Sequence, residues 1–298
     1  MNRKASLIRL SLSFLILAAV IGLAQDVQLD VPYVPTRYPV VDEMLRLANV
    51  TKDDVLYDLG CGDGRIVIGA AQKYGCRGVG IDIDPERIKE CLENAKKAGV
   101  IDKVKFIQGD LFEANFREAT VLPMYLLTSV NLKLRPKILR ELLPGSRVVS
   151  HNFGMDNWKP DAQTVVHVED TPHDVFLWIV PANISGTWKW AGLLGAKAVD
   201  FTMDIVQAYQ HPQATVKVNG NRAEVADMKL VGDKVTFLLN LDLEGRTISL
   251  SFEGKAFQHQ ISGTIRDRSG AQETAYAWKA ARNPVTVMDI DDKPSWIY

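Results

Sequence analysis

An acid and three closely spaced glycines are the residues of this chain whose types and spacing point most directly to chemistry. The loop contains, in order, Asp58, Gly60, Cys61, Gly62 and Gly64. Glycine adopts positive φ and carries no side chain, so a ligand can lie directly against the main chain of such a loop. A carboxylate just before the first glycine repels a pyrophosphate and attracts a cationic amino-acid group. The loop therefore predicts a binding site for a small ligand with an ammonium group.

A strand and a helix flank this loop. An apolar run at residues 55–58 predicts a buried strand, and residues 66–73 have helical periodicity. The dinucleotide fingerprint G-x-G-x-x-G requires its third glycine at the position of Arg65, one residue after Gly64. The spacing therefore disfavours a dinucleotide.

Acids also follow the next two predicted strands. Asp82 ends the second strand, about twenty residues after Gly60, the interval at which a βαβ unit brings an acid to ribose hydroxyls. Asp110 follows the third strand and can accept a hydrogen bond from an adenine amino group. Ile83 or Leu111 can pack on the adenine ring. Because ligands bind at the carboxyl ends of strands in open α/β sheets, these residues together predict an adenosine ligand.

The pattern Asp58-x-Gly60-x-Gly62-x-Gly64 resembles motif I of the class I methyltransferases, which use S-adenosylmethionine. The resemblance implies a Rossmann-like sheet of seven strands with helices on both faces. It also implies that the chain is an enzyme of the EC 2.1.1 class, with S-adenosylmethionine as cofactor. In this family the acid and the glycine loop, here including Cys61, hold the methionine end of the cofactor.

A narrower resemblance comes from two further stretches. Residues 33–36 read Tyr-Val-Pro-Thr, and residues 125–136 read YLLTSVNLKLRP. Together they resemble the small protein-lysine methyltransferases related to mitochondrial enzymes that modify inner-membrane carrier and ATP-synthase subunits. This resemblance covers roughly residues 31–180 and implies a protein lysine as methyl acceptor. Thr128 departs from it, since proline is expected there, and the Asn/Asp-Pro-Pro-Tyr motif of some amine methyltransferases is absent.

The predicted acceptor site contains Tyr125, Tyr33 and Asn131. The two tyrosine rings could surround the target ammonium, and Asn131 could orient it. Both tyrosines are equally interpretable as packing residues. His151, His167 and His173 each flank a predicted strand singly and are expected to be non-catalytic.

Two other functions remain compatible with the sequence. The first is a methyltransferase that acts on a small molecule. The second is a non-catalytic exported binding protein that retains the fold. The export signal described next favours the binding protein, whereas the intact cofactor motif favours the enzyme.

The N-terminus predicts export. Residues 1–24 combine Arg3, Lys4 and Arg9 with an apolar run at residues 10–23, as in a secretory signal peptide. The alternative is an uncleaved membrane anchor, the one case in which membrane contact is expected. A periplasmic or secreted location conflicts with the cytosolic supply of S-adenosylmethionine.

Composition limits the remaining functions. The chain has 298 residues, 47% hydrophobic and 24% charged, which suits two globular domains. Its net charge of -1 and the lack of a long basic run with aromatics argue against a nucleic-acid partner. No spacing of cysteines predicts a metal site, and three buried thiols are favoured over a Cys76–Cys91 pair. Oligomeric state stays open.

We expect five segments: a signal peptide (1–24), an extended lead-in (25–38), a methyltransferase domain (39–181), an all-β domain (184–282) and a tail (283–298). The β domain shows eight short strand-like runs, which predict a meander closing into a small barrel or sandwich. Predicted turns are Asn219-Gly220, Gly232-Asp233, Glu244-Gly245 and Glu253-Gly254. This domain could hold an apolar ligand, recruit a protein substrate or dimerise. Trp188, Trp190 and Trp278 are expected in its core.

Overall fold

The structure is a computed structural model that describes residues 33–194, 197–243, 246–267, 269 and 273–291. The predicted signal peptide, most of the lead-in and the turn at Glu244-Gly245 lie outside the described residues. Among the residues described, no helix is both long enough and apolar enough to span a membrane.

Strands and helices alternate in the first half of the chain. Its helices are α1 (Tyr38–Leu47), α2 (Arg65–Tyr74), α3 (Pro85–Lys97) and α4 (Thr128–Glu141). Its strands are β1 (Val55–Leu59), β2 (Arg77–Asp82), β3 (Val104–Gln108), β4 (Val121–Met124), β5 (Arg147–His151), β6 (Ala162–Val168) and β7 (Thr171–Ile179). They form one sheet in the order β3-β2-β1-β4-β5-β7-β6, with β7 antiparallel to both neighbours. Apolar side chains of α1, α2 and α3 pack on one face and those of α4 on the other, which confirms the predicted fold class.

The strand order reverses at β1, and this reversal places the ligand site. β1 pairs in parallel with β2 on one side and with β4 on the other. Connections from the two sides leave in opposite directions, so a crevice opens beyond the carboxyl ends of β1 and β4. All five β1 residues are buried, which explains why an apolar run leads directly into the polar loop.

Local sequence explains where the two helices beside the crevice, α2 and α3, begin. Asp84 caps α3, its side chain accepting a hydrogen bond of 2.8 Å from the amide of Glu86, and Pro85 occupies the first turn. Gly64 precedes α2 with a φ of 79°. A Cβ on Gly64 would lie 2.9 Å from the Phe106 ring and 3.0 Å from Cys91 Sγ. Glycine at this position therefore allows α2 to pack closely on the sheet.

The second half of the chain forms a closed antiparallel barrel of eight strands. These are β8 (Gly186–Leu194), β9 (Lys197–Ala208), β10 (His211–Val218), β11 (Asn221–Val231), β12 (Lys234–Leu243), β13 (Arg246–Phe257), β14 (Gln260–Asp267) and β15 (Thr274–Arg282). A single-turn 3-10 helix at Pro284–Thr286 follows. The structure thus selects the barrel over the sandwich. The predicted domain boundary falls between β7 and β8.

Aromatic side chains fill the barrel interior. Trp190, Phe201, Phe237, Phe252 and Trp278 contact one another with ring centroids 4.4–6.2 Å apart. Trp188 is also fully buried. These contacts confirm the tryptophans as core residues. A core packed in this way disfavours the suggestion that the barrel holds an apolar ligand.

One predicted turn is wrong. β13 continues through Glu253-Gly254 and ends at Phe257. Gly254 lies opposite Gly263 of β14, and a Cβ on Gly254 would come within 2.8 Å of the Trp278 ring. Glycine here makes room for tryptophan instead of turning the chain. The Asn219-Gly220 turn is confirmed, since both residues have positive φ and join β10 to β11.

Candidate cofactor and acceptor site

A cleft of about 1000 Å³, including its part open to solvent, lies beyond the carboxyl ends of β1, β2 and β4. The predicted residues that line it are Tyr33, Asp58, Gly60, Cys61, Gly62, Asp82, Ile83, Asp110, Leu111 and Tyr125. The structure therefore gathers at one edge of the sheet residues that the sequence places on successive strands. Gly64 and Asn131, the other two predicted site residues, are not among those lining the cleft.

Asp58 brings a buried carboxylate to the centre of the cleft. Asp58 is only 3% exposed, and its side chain accepts no hydrogen bond from any residue that the structure describes. Burial raises the pKa of Asp58 to about 8, and the negative charges of Asp82 and Asp63 contribute further. A buried carboxylate without a partner favours a cationic ligand group, as the sequence predicts.

The glycine loop exposes its main chain to the cleft. Gly60 and Gly62 have φ angles of 75° and 55°. A Cβ on Gly62 would lie 2.5 Å from Cε2 of Tyr33, and one on Gly60 would lie 3.2 Å from the Leu126 side chain. Both glycines are therefore required by backbone conformation and by close neighbours.

Asp82 is oriented by the backbone around it. Its Oδ2 accepts a hydrogen bond of 2.8 Å from the amide of Gly62, and its Oδ1 accepts one of 3.0 Å from the amide of Asp84. Each carboxylate oxygen retains a further acceptor site. This geometry is compatible with the predicted hydrogen bonds to ribose hydroxyls.

Asp110 lies exposed at the rim, where its Oδ1 accepts a hydrogen bond of 2.8 Å from the amide of Phe112. Leu111 and Ile83 provide apolar surface beside it along the cleft. The rim thus combines a hydrogen-bond acceptor with apolar surface, as an adenine site requires.

The three cysteines are free and buried, as the sequence favours. Cys61 Sγ lies 3.8 Å from Cys91 Sγ, and Cys91 donates a hydrogen bond of 3.0 Å to the carbonyl of Gly62. Its hydrogen bond with Cys91, together with burial, raises the pKa of the Cys61 thiol. Cys61 is therefore a neutral wall of the cleft and not a nucleophile.

Arg65 attaches the lead-in to the glycine loop, a role that sequence reasoning missed. Its guanidinium pairs with Asp63 at 2.6 Å and donates a hydrogen bond of 2.9 Å to the carbonyl of Thr36. Tyr33, 45% exposed, lies under the guanidinium of Arg87, whose Cζ is 4.8 Å from the ring centroid. The lead-in therefore forms one wall of the cleft. The sequence feature that could have indicated this role is the arginine at the position where the dinucleotide fingerprint has its third glycine.

Tyr125 lines the cleft and packs on His151, a histidine expected from the sequence to be non-catalytic. Its ring stacks on that of His151 with centroids 3.9 Å apart, and Phe153 lies 5.9 Å away. His151 Nε2 lies 2.9 Å from Nδ1 of His173, and its Nδ1 lies 3.3 Å from the Thr36 hydroxyl. Burial lowers the pKa of His151 to about 4, aided by the nearby charge of His173.

The histidines differ from the expectation that each stands alone. His151 and His173 come from the antiparallel neighbours β5 and β7, while His167 lies on β6 opposite Pro172. Predicting the contact between His151 and His173 requires the register of β5 against β7, which the sequence alone does not provide.

Asn131 does not line the cleft and instead contacts the segment after β5. It is fully buried on α4, and its amide nitrogen donates hydrogen bonds to the carbonyls of Phe153 and Gly154 at 3.1 and 3.4 Å. It thereby attaches α4 to the segment that carries Phe153 beside Tyr125. This placement is different from the predicted contact with an acceptor ammonium.

The residues present fit S-adenosylmethionine. Asp58 would hold the amino group beside the glycine loop, Asp82 the ribose, and Asp110 with Leu111 and Ile83 the adenine. Within the described residues, no group of three or more histidine, cysteine or acidic side chains is arranged to hold a metal ion.

Known proteins are similar to the first half of this chain. Residues 58–162 match the profile of a family described as the ANTKMT methyltransferase domain. A protein-lysine N-methyltransferase of Saccharolobus islandicus (strain REY15A) is 48% identical over 50% of this chain and 94% of its own. The adenine nucleotide translocase lysine N-methyltransferase of Mus musculus is 34% identical over 45% of this chain and 58% of its own.

A solved structure is also similar. The RNA methyltransferase from Salinibacter ruber, in complex with S-adenosyl-L-homocysteine, has 57% identity over 51% of this chain and 96% of its own, with a TM-score of 0.48. The family match ends before the barrel begins at Gly186.

Proposed function

We propose that this chain, which belongs to the family of the ANTKMT methyltransferase domain, methylates a lysine side chain of a protein. The chain is an S-adenosylmethionine-dependent methyltransferase, and the lysine acceptor is the proposed part. The observation that carries it is the cleft itself, in which Tyr125 and Tyr33 line the same space as the unpartnered Asp58. The names of two relatives, both lysine methyltransferases, support the same acceptor.

The residues of the cleft account for methyl transfer by positioning. When bound, S-adenosylmethionine would supply an electrophilic methyl group on its sulfonium: the lone pair of the amine would bond to the methyl carbon in line with the breaking C–S bond, whose electron pair would stay on sulfur. Asp58 and Asp82 would hold the two ends of the methionyl-ribose unit, and orientation of the reactants alone can contribute about 7–11 kcal/mol. The faces of Tyr125 and Tyr33 favour a cationic amine and exclude water.

The acceptor can be tested with a polymer of defined chemistry. The chain is incubated with S-adenosylmethionine labelled in its methyl group and with poly-L-lysine, and acid hydrolysates are examined for methylated lysine. Fully N-acetylated poly-L-lysine is the matched control, because it has the same backbone without the amine. Intact mass measurement detects methylation of the chain's own lysines, and bulk RNA tests the predicted absence of a nucleic-acid substrate.

Label in hydrolysed lysine supports the proposal. Cofactor binding without any labelled lysine, in the polymer, the chain or the proteins of a bacterial lysate, contradicts it and favours a small-molecule acceptor.

Cofactor binding needs its own measurement. Calorimetric titration of residues 25–298 with S-adenosylmethionine should give micromolar affinity, and Asp82→Ala should abolish it. Wild-type affinity in Asp82→Ala would contradict the role given to this carboxylate.

Export of the chain is a further proposal. It is supported by the basic and apolar composition of residues 1–24, which lie outside the described residues. Expression of the full chain followed by N-terminal sequencing of periplasmic and cytosolic fractions tests it. A periplasmic product beginning near residue 25 supports export, and an intact cytosolic chain contradicts it. The non-catalytic alternative is set aside, because the chain belongs to a family of enzymes.

A further inference from the structure

We propose that Thr36, His151 and His173 form a relay that carries a proton from the acceptor lysine to solvent. The inference rests on the proposed function. A lysine side chain has a pKa near 10.4 and is therefore an ammonium at neutral pH. Its nitrogen cannot attack a methyl group until one proton has left, and the cleft must provide a route for that proton.

The three side chains form a continuous row from the cleft to the surface. Thr36 lines the cleft, and its Oγ1 lies 3.3 Å from Nδ1 of His151. His151 Nε2 lies 2.9 Å from Nδ1 of His173, which is partly exposed. The same His151 ring stacks on Tyr125, which lines the cleft and is predicted to contact the acceptor ammonium. The row therefore begins where the acceptor nitrogen is expected and ends at water.

The row is suited to a concerted transfer, in which His151 gives up one proton as it receives another and never becomes an imidazolium. His151 is buried and neutral, because burial and the nearby charge of His173 lower its pKa to about 4. The titratable groups that face it are His173 from β7 and Tyr125 from the segment after β4. Arg65 lies nearby, where its guanidinium bonds the backbone carbonyl of Thr36 and pairs with Asp63. A neutral imidazole carries a proton on one nitrogen and a lone pair on the other, so it can receive and release protons at opposite ends.

The proton transfer is balanced. An N–H bond of the lysine ammonium breaks, its electron pair stays on nitrogen, and the proton passes to Oγ1 of Thr36. Thr36 gives its own hydroxyl proton to Nδ1 of His151, which passes its Nε2 proton to Nδ1 of His173. His173 releases its Nε2 proton to solvent. After the product leaves, the reverse transfer restores the starting tautomers: solvent returns a proton to Nε2 of His173, one proton passes back through His151 to Thr36, and Thr36 gives its own to water in the open cleft. The amine is then free to attack.

The kinetic test uses variants that separate proton transfer from packing. His151→Phe retains an aromatic ring to stack on Tyr125 but has no ring nitrogen, and His173→Gln interrupts the row at its outer end. His167→Gln, on the neighbouring strand β6, is the matched control. The rate constant for methylation of poly-L-lysine is measured from pH 7 to pH 10 for each variant, together with the affinity for S-adenosylmethionine.

We expect His151→Phe to reduce the rate constant about hundredfold at pH 7, within the usual range for proton transfer by a side chain. The deficit should narrow toward pH 10, because a large fraction of lysine is then already deprotonated. Cofactor affinity should be unchanged, His173→Gln should show a smaller deficit of the same form, and His167→Gln should match wild type. A deficit that is constant across pH would indicate packing alone and overturn the relay, as would full activity of His151→Phe.

A second measurement is independent of activity. Nitrogen NMR of histidine-labelled protein should show His151 protonated on Nε2 and bare on Nδ1. The opposite tautomer cannot receive a proton from Thr36 and would overturn the relay. If wild type binds the cofactor but methylates no lysine, the proposed function fails and the relay fails with it; if lysine is methylated and His151 has the opposite tautomer, the relay alone fails.

Discussion

Tyr209 of the barrel stacks on Trp158, which follows β5 of the sheet, with ring centroids 5.7 Å apart and planes 11° apart. Tyr209 occupies the turn between β9 and β10, and its hydroxyl lies 3.0 Å from Asn157 Oδ1 and 2.9 Å from Asp291 Oδ1. Arg135 of α4 pairs with Asp291 at 2.8 Å. A single hairpin thus joins the barrel to α4 and to the segment that follows β5.

Replacing Tyr209 should therefore weaken the whole molecule. Tyr209→Ala removes a fully buried aromatic ring and should lower the free energy of unfolding by about 3–5 kcal/mol. Tyr209→Phe retains the ring and loses the hydroxyl contacts, so a loss of about 1–2 kcal/mol is expected. Urea unfolding followed by tryptophan fluorescence measures both. Phe257→Ala, at a barrel residue 73% exposed, is the control and should change stability by less than about 0.5 kcal/mol. Equal losses in Tyr209→Ala and Phe257→Ala would show that the stacked contact contributes nothing.

Asp58 should make the stability of the free protein fall as pH rises. Its pKa is about 8 in the folded chain and near 4 when unfolded. Stability that depends on the protonated carboxyl is therefore complete below pH 4 and is lost progressively as pH rises to about 8. The slope reaches about 1.4 kcal/mol per pH unit.

The variant Asp58→Asn isolates this effect, because its amide stays neutral at every pH. Urea unfolding at several pH values should show Asp58→Asn gaining stability relative to wild type between pH 4 and pH 8. Calorimetry should show that the same variant loses affinity for S-adenosylmethionine, since the amide cannot balance an ammonium. A stability difference independent of pH would contradict the raised pKa of Asp58.

Gly62→Ala should weaken cofactor binding more than it weakens the fold. The residue has a φ of 55°, and the added Cβ would lie 2.5 Å from the Tyr33 ring. Backbone strain costs roughly 1 kcal/mol, and displacement of Tyr33 should lower the affinity for S-adenosylmethionine at least tenfold by calorimetry. Gly99→Ala is a matched control, because Gly99 has a φ of 71° and open space around it. It should lose similar stability and keep wild-type affinity. Equal affinity in both variants would mean that Tyr33 moves aside freely.

The predictable parts of this protein are those encoded locally. The glycine loop, the acids at the ends of β1 and β2, and the Asn219-Gly220 turn each follow from backbone conformation or strand periodicity within a few residues. Because parallel strands present their carboxyl ends at one edge, Asp58 and Asp82 could be placed together without knowing any side-chain contact.

The parts that were missed depend on contacts between distant segments. His151 and His173 meet through the register of β5 and β7, and Arg65 reaches the carbonyl of Thr36 across the cleft. The sequence predicts a turn at Gly254, because glycine is frequent in turns. The contact that requires glycine there is with the Trp278 ring, which lies on another strand. A single sequence shows residue types in order, and it does not show which segment will lie beside them.

Arg65→Lys should open the wall of the cleft formed by the lead-in. The guanidinium pairs with Asp63 through two nitrogens, at 2.9 and 2.6 Å, while a third bonds the Thr36 carbonyl. A lysine ammonium is a point charge that cannot reproduce this planar geometry. We expect the binding free energy of S-adenosylmethionine to weaken by about 1.4–2.8 kcal/mol, which is a ten- to hundredfold loss of affinity. Arg46→Lys is the matched control, because Arg46 forms a similar two-nitrogen pair with Glu43 on α1, which does not line the cleft. Calorimetry should show wild-type affinity for Arg46→Lys. Retention of full affinity in Arg65→Lys would mean that the lead-in stays in place without this guanidinium.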